Sequence, residues 1–416
     1  MTYRELLELY KSGELELEQR KKVEKDIERQ EAISDYLYEQ EDIPELTGIL
    51  EEKEQGQEDI DSEFIKLVNR SIRRAFRRLG ITVFIAAVVL VLLIQFCIPN
   101  LVSRFYYNPA KNIGNKDYST NQMSRDMAVY SELFLPGKRR LSVQAESKGY
   151  GKYNITVNQT SSLTGTMTDV SGEIIRGKLR YYDNNILRKP VSNAFVYSNL
   201  VVKEGNTVDD NLKYTKKYFK MKDNEEVNMC AAGTKEQSQE TLRNLDSQKM
   251  YIGYVSLDKI MTYEAFKKYI DKQDLSEVWC AVQVLDENIG FVCNPSYTSA
   301  ISWDNKKYPN LLPGCNLDDM NKEDYWTTME KNLQKESYAR QHFVSLLNYL
   351  ADQKQFLSMM EENNTNYTPD RLREMASYIK KNGLKIYGFA TITDKDTLLK
   401  LSKQSEVYEI YSDLIR

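Results

Sequence analysis

The chain has 416 residues, 28% of them charged, with 57 Lys and Arg against 61 Asp and Glu and a single His. Its net charge of −4 conceals a division: residues 1–65 hold 8 basic and 21 acidic residues, 66–98 hold six basic and no acidic ones, and 99–416 hold 43 against 40. A leading segment that acidic excludes charge-driven binding to nucleic acid or anionic lipid, and suits a basic protein partner.

Residues 1–41 read as short helices, an all-α head. Thr2 can cap a first helix over Tyr3–Lys11, with Glu5 at its third position, and Gly13 supplies the stop. Leu6, Leu7 and Tyr10 recur at helical spacing, as do Val23 and Ile27, then Ile33, Tyr36 and Leu37. The apolar area of so short a segment is small, which predicts packing against a partner. Leu6, Leu7, Tyr10, Val23, Ile27, Tyr36 and Leu37 are therefore the candidate partner-binding residues.

The stretch LELYKSGELELEQRKKVEKDIERQEAISDYL resembles the sigma-binding head of bacterial membrane anti-sigma factors. In that family a short helix, a Gly turn and a Val-Glu pair precede a His-Cys-Cys zinc cluster. Here the three ligand positions fall on Asp26, Gln30 and Ile33, so the resemblance implies a head without zinc and without any cofactor.

Residues 42–61 are acidic and interrupted by Pro44, Gly48 and Gly56, a linker extended by its own charge. Ser62 can then cap a basic amphipathic helix over 62–78. Phe64, Val68, Ile72 and Phe76 lie on one stripe, and Arg73, Arg74, Arg77 and Arg78 lie elsewhere as membrane-anchor candidates.

The helix runs into LGITVFIAAVVLVLLIQFCI, Leu79–Ile98, an uncharged stretch of 20 residues. At 1.5 Å per residue it matches a hydrocarbon core of roughly 30 Å. The basic flank on its N-terminal side predicts a single pass with the N-terminus cytoplasmic and the C-terminus extracytoplasmic, and the resemblance implies the plasma membrane of a bacterium. The run starts far from the N-terminus, exceeds an h-region and lacks a small-x-small exit, so a retained signal anchor is expected. Phe105, Tyr106 and Tyr107 follow as interfacial aromatics.

Outside the membrane the chain reads as α+β. Residues 99–245 form a β-rich domain, in which SVQAES, YNITVNQ, GEIIRGKLRYYD and NAFVYSNLVV are strands and 205–245 mostly connects. Residues 246–416 form a C-terminal α/β domain. MYIGYVSL, TYEAFKKYIDK and EVWCAVQVL read as strand, helix, strand, and KIYGFATIT, DTLLKLSKQ and EVYEIYS repeat the order. Two such units predict a ferredoxin-like sandwich with a helical insertion over 322–361. A well-punctuated helix, Thr368 and Pro369 at its start and Gly383 past its end, precedes the second unit.

The segments FIKLVNRSIRRAFRR and FYYNPAK around the span resemble the N-terminal element of the sigma factor regulator family of bacterial anti-sigma proteins. SELFLPGKRRLSV, 131–143, is similar to the strand that follows it there. MYIGYVSLDKIMTYEAFKKYI, the strand with Trp279, and KIYGFATITDKDTLLKLSKQSEVYEIYSD resemble its C-terminal domain.

Cys230, Cys280, Cys293 and Cys315 lie on the outer side as disulfide candidates, with three pairings open and buried free thiols as the alternative. His342 has no accompanying nucleophile motif and reads as a structural residue, and Asp318-Asp319 and Glu361-Glu362 read as solvated surface, so no enzyme is expected. No metal site and no direct nucleic-acid contact are expected either. The resemblance implies an anti-sigma factor that holds an extracytoplasmic-function sigma factor and responds to envelope conditions. Its outer ligand stays open, as does release by a regulatory protease or by conformational change. The alternative is a cell-surface receptor or assembly protein binding wall polymer or another membrane protein.

Overall fold

A computed structural model describes residues 9–13, 16–40, 58–114, 119–136, 138–161, 167–182, 194–227, 233–275, 278–285, 287–293, 307–308, 310–311, 325–360 and 367–415. The chain divides into two compact units, Met1–Cys97 and Ile98–Arg416.

In the first unit a helical turn ends at Gly13, whose φ of +76° is the left-handed conformation that stops helices. Helix α1, Leu17–Gln40, follows. Helix α2, Glu58–Leu92, starts four residues before Ser62, so Ser62 lies inside it and does not cap it. Leu93–Cys97 takes π geometry just ahead of Pro99, which has no N–H to return to the Gln95 carbonyl. The helical run Asn69–Ser103 is long and apolar enough to cross a membrane, with a mean hydropathy of 3.0 over an 18-residue window, and it is the one such run among the described residues. Its apolar side chains face outward: Phe84 is 69% exposed and Val83 59%. A helix apolar on all sides and covered by no protein suits lipid as its solvent.

The second unit begins with a short helix, α3, Ile98–Ser103, and a small ladder of β1, Asn112–Gly114, with β2, Ser119–Asn121. Helix α4, Gln122–Phe134, comes next. Asn121 caps it by accepting from the Ser124 N–H. This helix corrects the reading of 131–134 as part of a strand. Met123, Met127, Tyr130 and Phe134 recur at helical spacing, and every residue from Met123 to Phe134 is buried.

A four-stranded antiparallel meander follows, β3 (Lys138–Gly149), β4 (Lys152–Ser161), β5 (Met167–Ile175) and β6 (Lys178–Tyr181). NAFVYSNLVV is not a strand. Val196–Asn199 is a 3-10 turn that lies against a sheet face rather than joining the ladder. The stretch 205–245 also holds more than connections: α5, Val208–Tyr218, and α6, Lys235–Arg243, each start with a complete capping box, Thr207 with Asp210 and Thr234 with Gln237.

The C-terminal sheet contains both expected strand–helix–strand units. The first is β7 (Met250–Thr262), α7 (Tyr263–Ile270) and β8 (Trp279–Val284). The second is β10 (Lys385–Asp394), α12 (Lys395–Ser402) and β11 (Val407–Leu414). A strand absent from the sequence reading, β9 (Glu287–Val292), forms a hairpin with β8. Helices α8 (Tyr325–Leu333), α9 (Glu336–Asp352), α10 (Lys354–Met360) and α11 (Pro369–Asn382) intervene before β10. The sheet order is β11-β7-β10-β8-β9, antiparallel throughout.

Both faces of this sheet are covered. Along β7, Tyr251, Val255 and Leu257 join one apolar cluster, which also takes in α4, α9 and the inward residues of β3 and β4. Ile252 and Tyr254 face a second cluster with Phe195, Trp279 and Tyr387. The period of two follows from strand geometry, and burial on both sides explains why β10 is buried from Ile386 to Thr393.

Candidate functional site

The head residues singled out from the sequence are only partly described. Leu6 and Leu7 lie outside the described residues, and Tyr36 and Leu37 belong to α1 with only their backbone described. Tyr10 is half-buried, its hydroxyl donating to Glu24 Oε1 at 3.4 Å while the Arg20 guanidinium sits 6.0 Å from its ring. Arg20 also pairs with Glu24 at 3.1 Å. Val23 is 2% exposed and Ile27 half-buried, so part of the apolar stripe of α1 is already covered. What they leave open is Leu17, 77% exposed, and Ile33, 50% exposed. Leu17 was not singled out, because its position at the very start of α1 hides it from a periodicity argument.

Arg73, Arg74, Arg77 and Arg78 are exposed on α2. The three aromatics after the span separate: Phe105 is 73% exposed, Tyr106 half-buried and Tyr107 only 5% exposed. Tyr107 turns inward to a network that sequence reasoning missed. Its hydroxyl donates to Asp126 Oδ2 at 2.6 Å. Asp126 Oδ1 accepts from the Tyr349 hydroxyl at 2.6 Å and from Gln122 Nε2 at 2.9 Å. Burial lifts the Asp126 carboxyl to about 6, against the pull of these three donors and of Arg125. A cavity of 790 Å³ opens beside this network, lined by Ser103, Tyr107 and Lys111 on one side and by Gln122, Gln353 and Phe356 on the other. The network thus stands beside residues 103–107, near the start of the second unit.

One turn and a half further along α4, Glu132 and His342 are fully buried together, His342 Nε2 lying 3.0 Å from Glu132 Oε1. His342 Nδ1 lies 3.0 Å from the Asn310 carbonyl oxygen, which can only accept, so Nδ1 carries a hydrogen. The contact at Nε2 then needs one further proton, on the ring or on the carboxyl. Trp279 Nε1 donates to the Glu132 backbone carbonyl at 2.6 Å and ties the C-terminal sheet to α4. With both nitrogens engaged and no solvent access, His342 holds structure.

Cys280 and Cys293 are buried free thiols, pointing at the carbonyls of Phe291 and Val278 at 3.3 and 3.4 Å. Cys230 and Cys315 lie outside the described residues.

Residues 242–411 match the family described as sigma factor regulator C-terminal. No curated protein matches the chain, and no solved structure does.

Proposed function

From the match of residues 242–411 to the sigma factor regulator C-terminal family, we propose that the chain is a single-pass membrane anti-sigma factor. Its acidic helical head holds an extracytoplasmic-function sigma factor on the cytoplasmic side, and its C-terminal unit responds to envelope conditions outside. The observation that carries the reading is the arrangement along the chain. One helix that is apolar all round separates the regulator region from a small acidic head with apolar side chains left open.

The head would cover apolar surface of the sigma factor through Leu6, Leu7, Tyr10, Val23, Ile27, Tyr36 and Leu37. Its carboxylates speed association with the basic surfaces a sigma factor presents to DNA. Retention of Arg73, Arg74, Arg77 and Arg78 at the inner leaflet sets the orientation. The head itself makes no contact with nucleic acid. Release comes from a regulatory protease acting near the span or from a conformational change passed through it.

Ile27→Asp in the full-length chain tests the reading. A carboxylate in a half-buried apolar contact should weaken sigma binding by a factor of ten or more, about 1.4 kcal/mol at least. Transcription from the sigma factor's promoters should rise with the membrane level of the protein unchanged. Unchanged transcription would remove the idea.

A further inference from the structure

Beyond the head and the span, the C-terminal unit holds a second cavity, of 530 Å³, at the end of the sheet face that the 194–219 segment covers. Among the described residues, none of the twelve that line it is charged, in a chain 28% charged. Uncharged walls favour a neutral occupant over phosphates, carboxylates and amines, for which they supply no opposite charge.

What the walls offer is aromatic faces and amides. Tyr218 and Phe219 form one wall, each 61% exposed, with rings 5.1 Å apart and nearly perpendicular. They are held there by the end of α5. Lys220 takes a left-handed conformation (φ 53°) and the Met221 N–H donates to the Lys216 carbonyl at 2.8 Å, which fixes the turn. The opposite wall is the β8–β9 hairpin, where Gln283 and Asn288 stand directly across from each other in register. The Tyr387 hydroxyl donates to Asn288 Oδ1 at 2.8 Å and orients that amide. The Gln283 amide is half-buried and has no hydrogen-bond partner among the described residues. The hairpin turn beside it passes through Leu285 in a left-handed conformation (φ 52°), which a bulky side chain adopts only when its surroundings impose it.

Aromatic rings that accept the C–H face of a pyranose, set opposite amides that bond its hydroxyls, are the chemistry of an uncharged sugar. The volume lies within the range of roughly 300–1,000 Å³ typical of ligand pockets. We propose that this cavity binds a neutral saccharide unit of a glycan, stacked on Tyr218 and Phe219 and hydrogen-bonded by Gln283 and Asn288. The proposal stands whether or not the head binds a sigma factor.

The test is calorimetric titration of the full-length chain in lipid nanodiscs with two neutral oligosaccharides, chitotetraose and maltotetraose. A sulfated heparin tetrasaccharide and a neutral trileucine peptide serve as the other arms. Saturable binding of at least one neutral oligosaccharide is expected, weakened at least tenfold in a Tyr218→Ala, Phe219→Ala double variant and at least threefold in Gln283→Ala. Tyr218 and Phe219 are exposed, so their truncation leaves the thermal unfolding unchanged, and Lys217→Ala should bind as the parent does. Four results would overturn the proposal: no saturation up to ~10 mM of either sugar, equal binding by the variants, tighter binding of the sulfated sugar, or tighter binding of the peptide. None of them bears on promoter output from the sigma factor.

Discussion

Glu409 is an internal stress that a single substitution can release. It lies on β11 opposite Ser256, is 1% exposed, and neither carboxyl oxygen has a hydrogen-bond partner among the described residues. Burial alone pushes its carboxyl from 4.5 up to about 8. In the unfolded chain the group loses its proton near 4.5, while the folded chain keeps it to about 8. Between those values the folded state binds more protons, so stability is greatest below pH 4.5, falls as pH rises, and levels off above about 8. That interval at about 1.4 kcal/mol per pH unit gives roughly 5 kcal/mol as the ceiling, and roughly 3 kcal/mol at pH 7. Glu409→Gln keeps the shape and the unpartnered polar ends, so stability at pH 4.5 should stay as it is. Above pH 8 the variant should be more stable than the parent by about 3 to 5 kcal/mol. Denaturant unfolding of the full-length chain in detergent, followed by tryptophan fluorescence from pH 4.5 to 9, reads this directly. Parent and variant curves that stay parallel across that range would refute the reasoning.

Asp126 has the same sign over a lower window, so Asp126→Asn should flatten the limb between about pH 4 and 6, worth roughly 3 kcal/mol; a limb unchanged by the substitution would contradict it. Gly290→Ala places a Cβ within 2.6 Å of the Trp279 ring and against the Cys280 carbonyl oxygen across the β8–β9 ladder. It should cost about 3 kcal/mol or more in the same unfolding assay, and a loss below about 1 kcal/mol would contradict the packing of that hairpin. Cys280 and Cys293 should resist maleimide labelling in the folded chain and react once it is denatured, checked by peptide mass mapping, because both thiols are buried. Labelling of either in the folded chain as fast as in the denatured one would show that this core opens.

The span and the two strand–helix–strand units were legible in the sequence because each carries its own local signal. One is an uncharged run of 20 residues; the others are β-branched and aromatic runs on either side of short helices, the first of them capped by Thr262. Helix α4 hid for the opposite reason. Its stripe of Met123, Met127, Tyr130 and Phe134 is set among polar residues, Arg125, Asp126 and Glu132, that are buried too, and the partners that make their burial tolerable come from 200 residues away. The capping boxes at Thr207 and Thr234 were readable signals for α5 and α6 but were flanked by charge-rich sequence that resembles linker. Tyr107 followed the rule for interfacial aromatics by position alone. Its neighbour in space, Asp126, takes it inward instead. The cavity between α5 and the β8–β9 hairpin could not be read at all, since its two walls are separated by about 65 residues.

The central claim is that the acidic head holds a sigma factor at the membrane. The most direct measurement is purification of the full-length, affinity-tagged chain from the membranes of its own cells, with the retained proteins identified by mass spectrometry. The account predicts an extracytoplasmic-function sigma factor retained with the parent chain and lost with Ile27→Asp. Recovery of the intact chain with no sigma factor attached would contradict it.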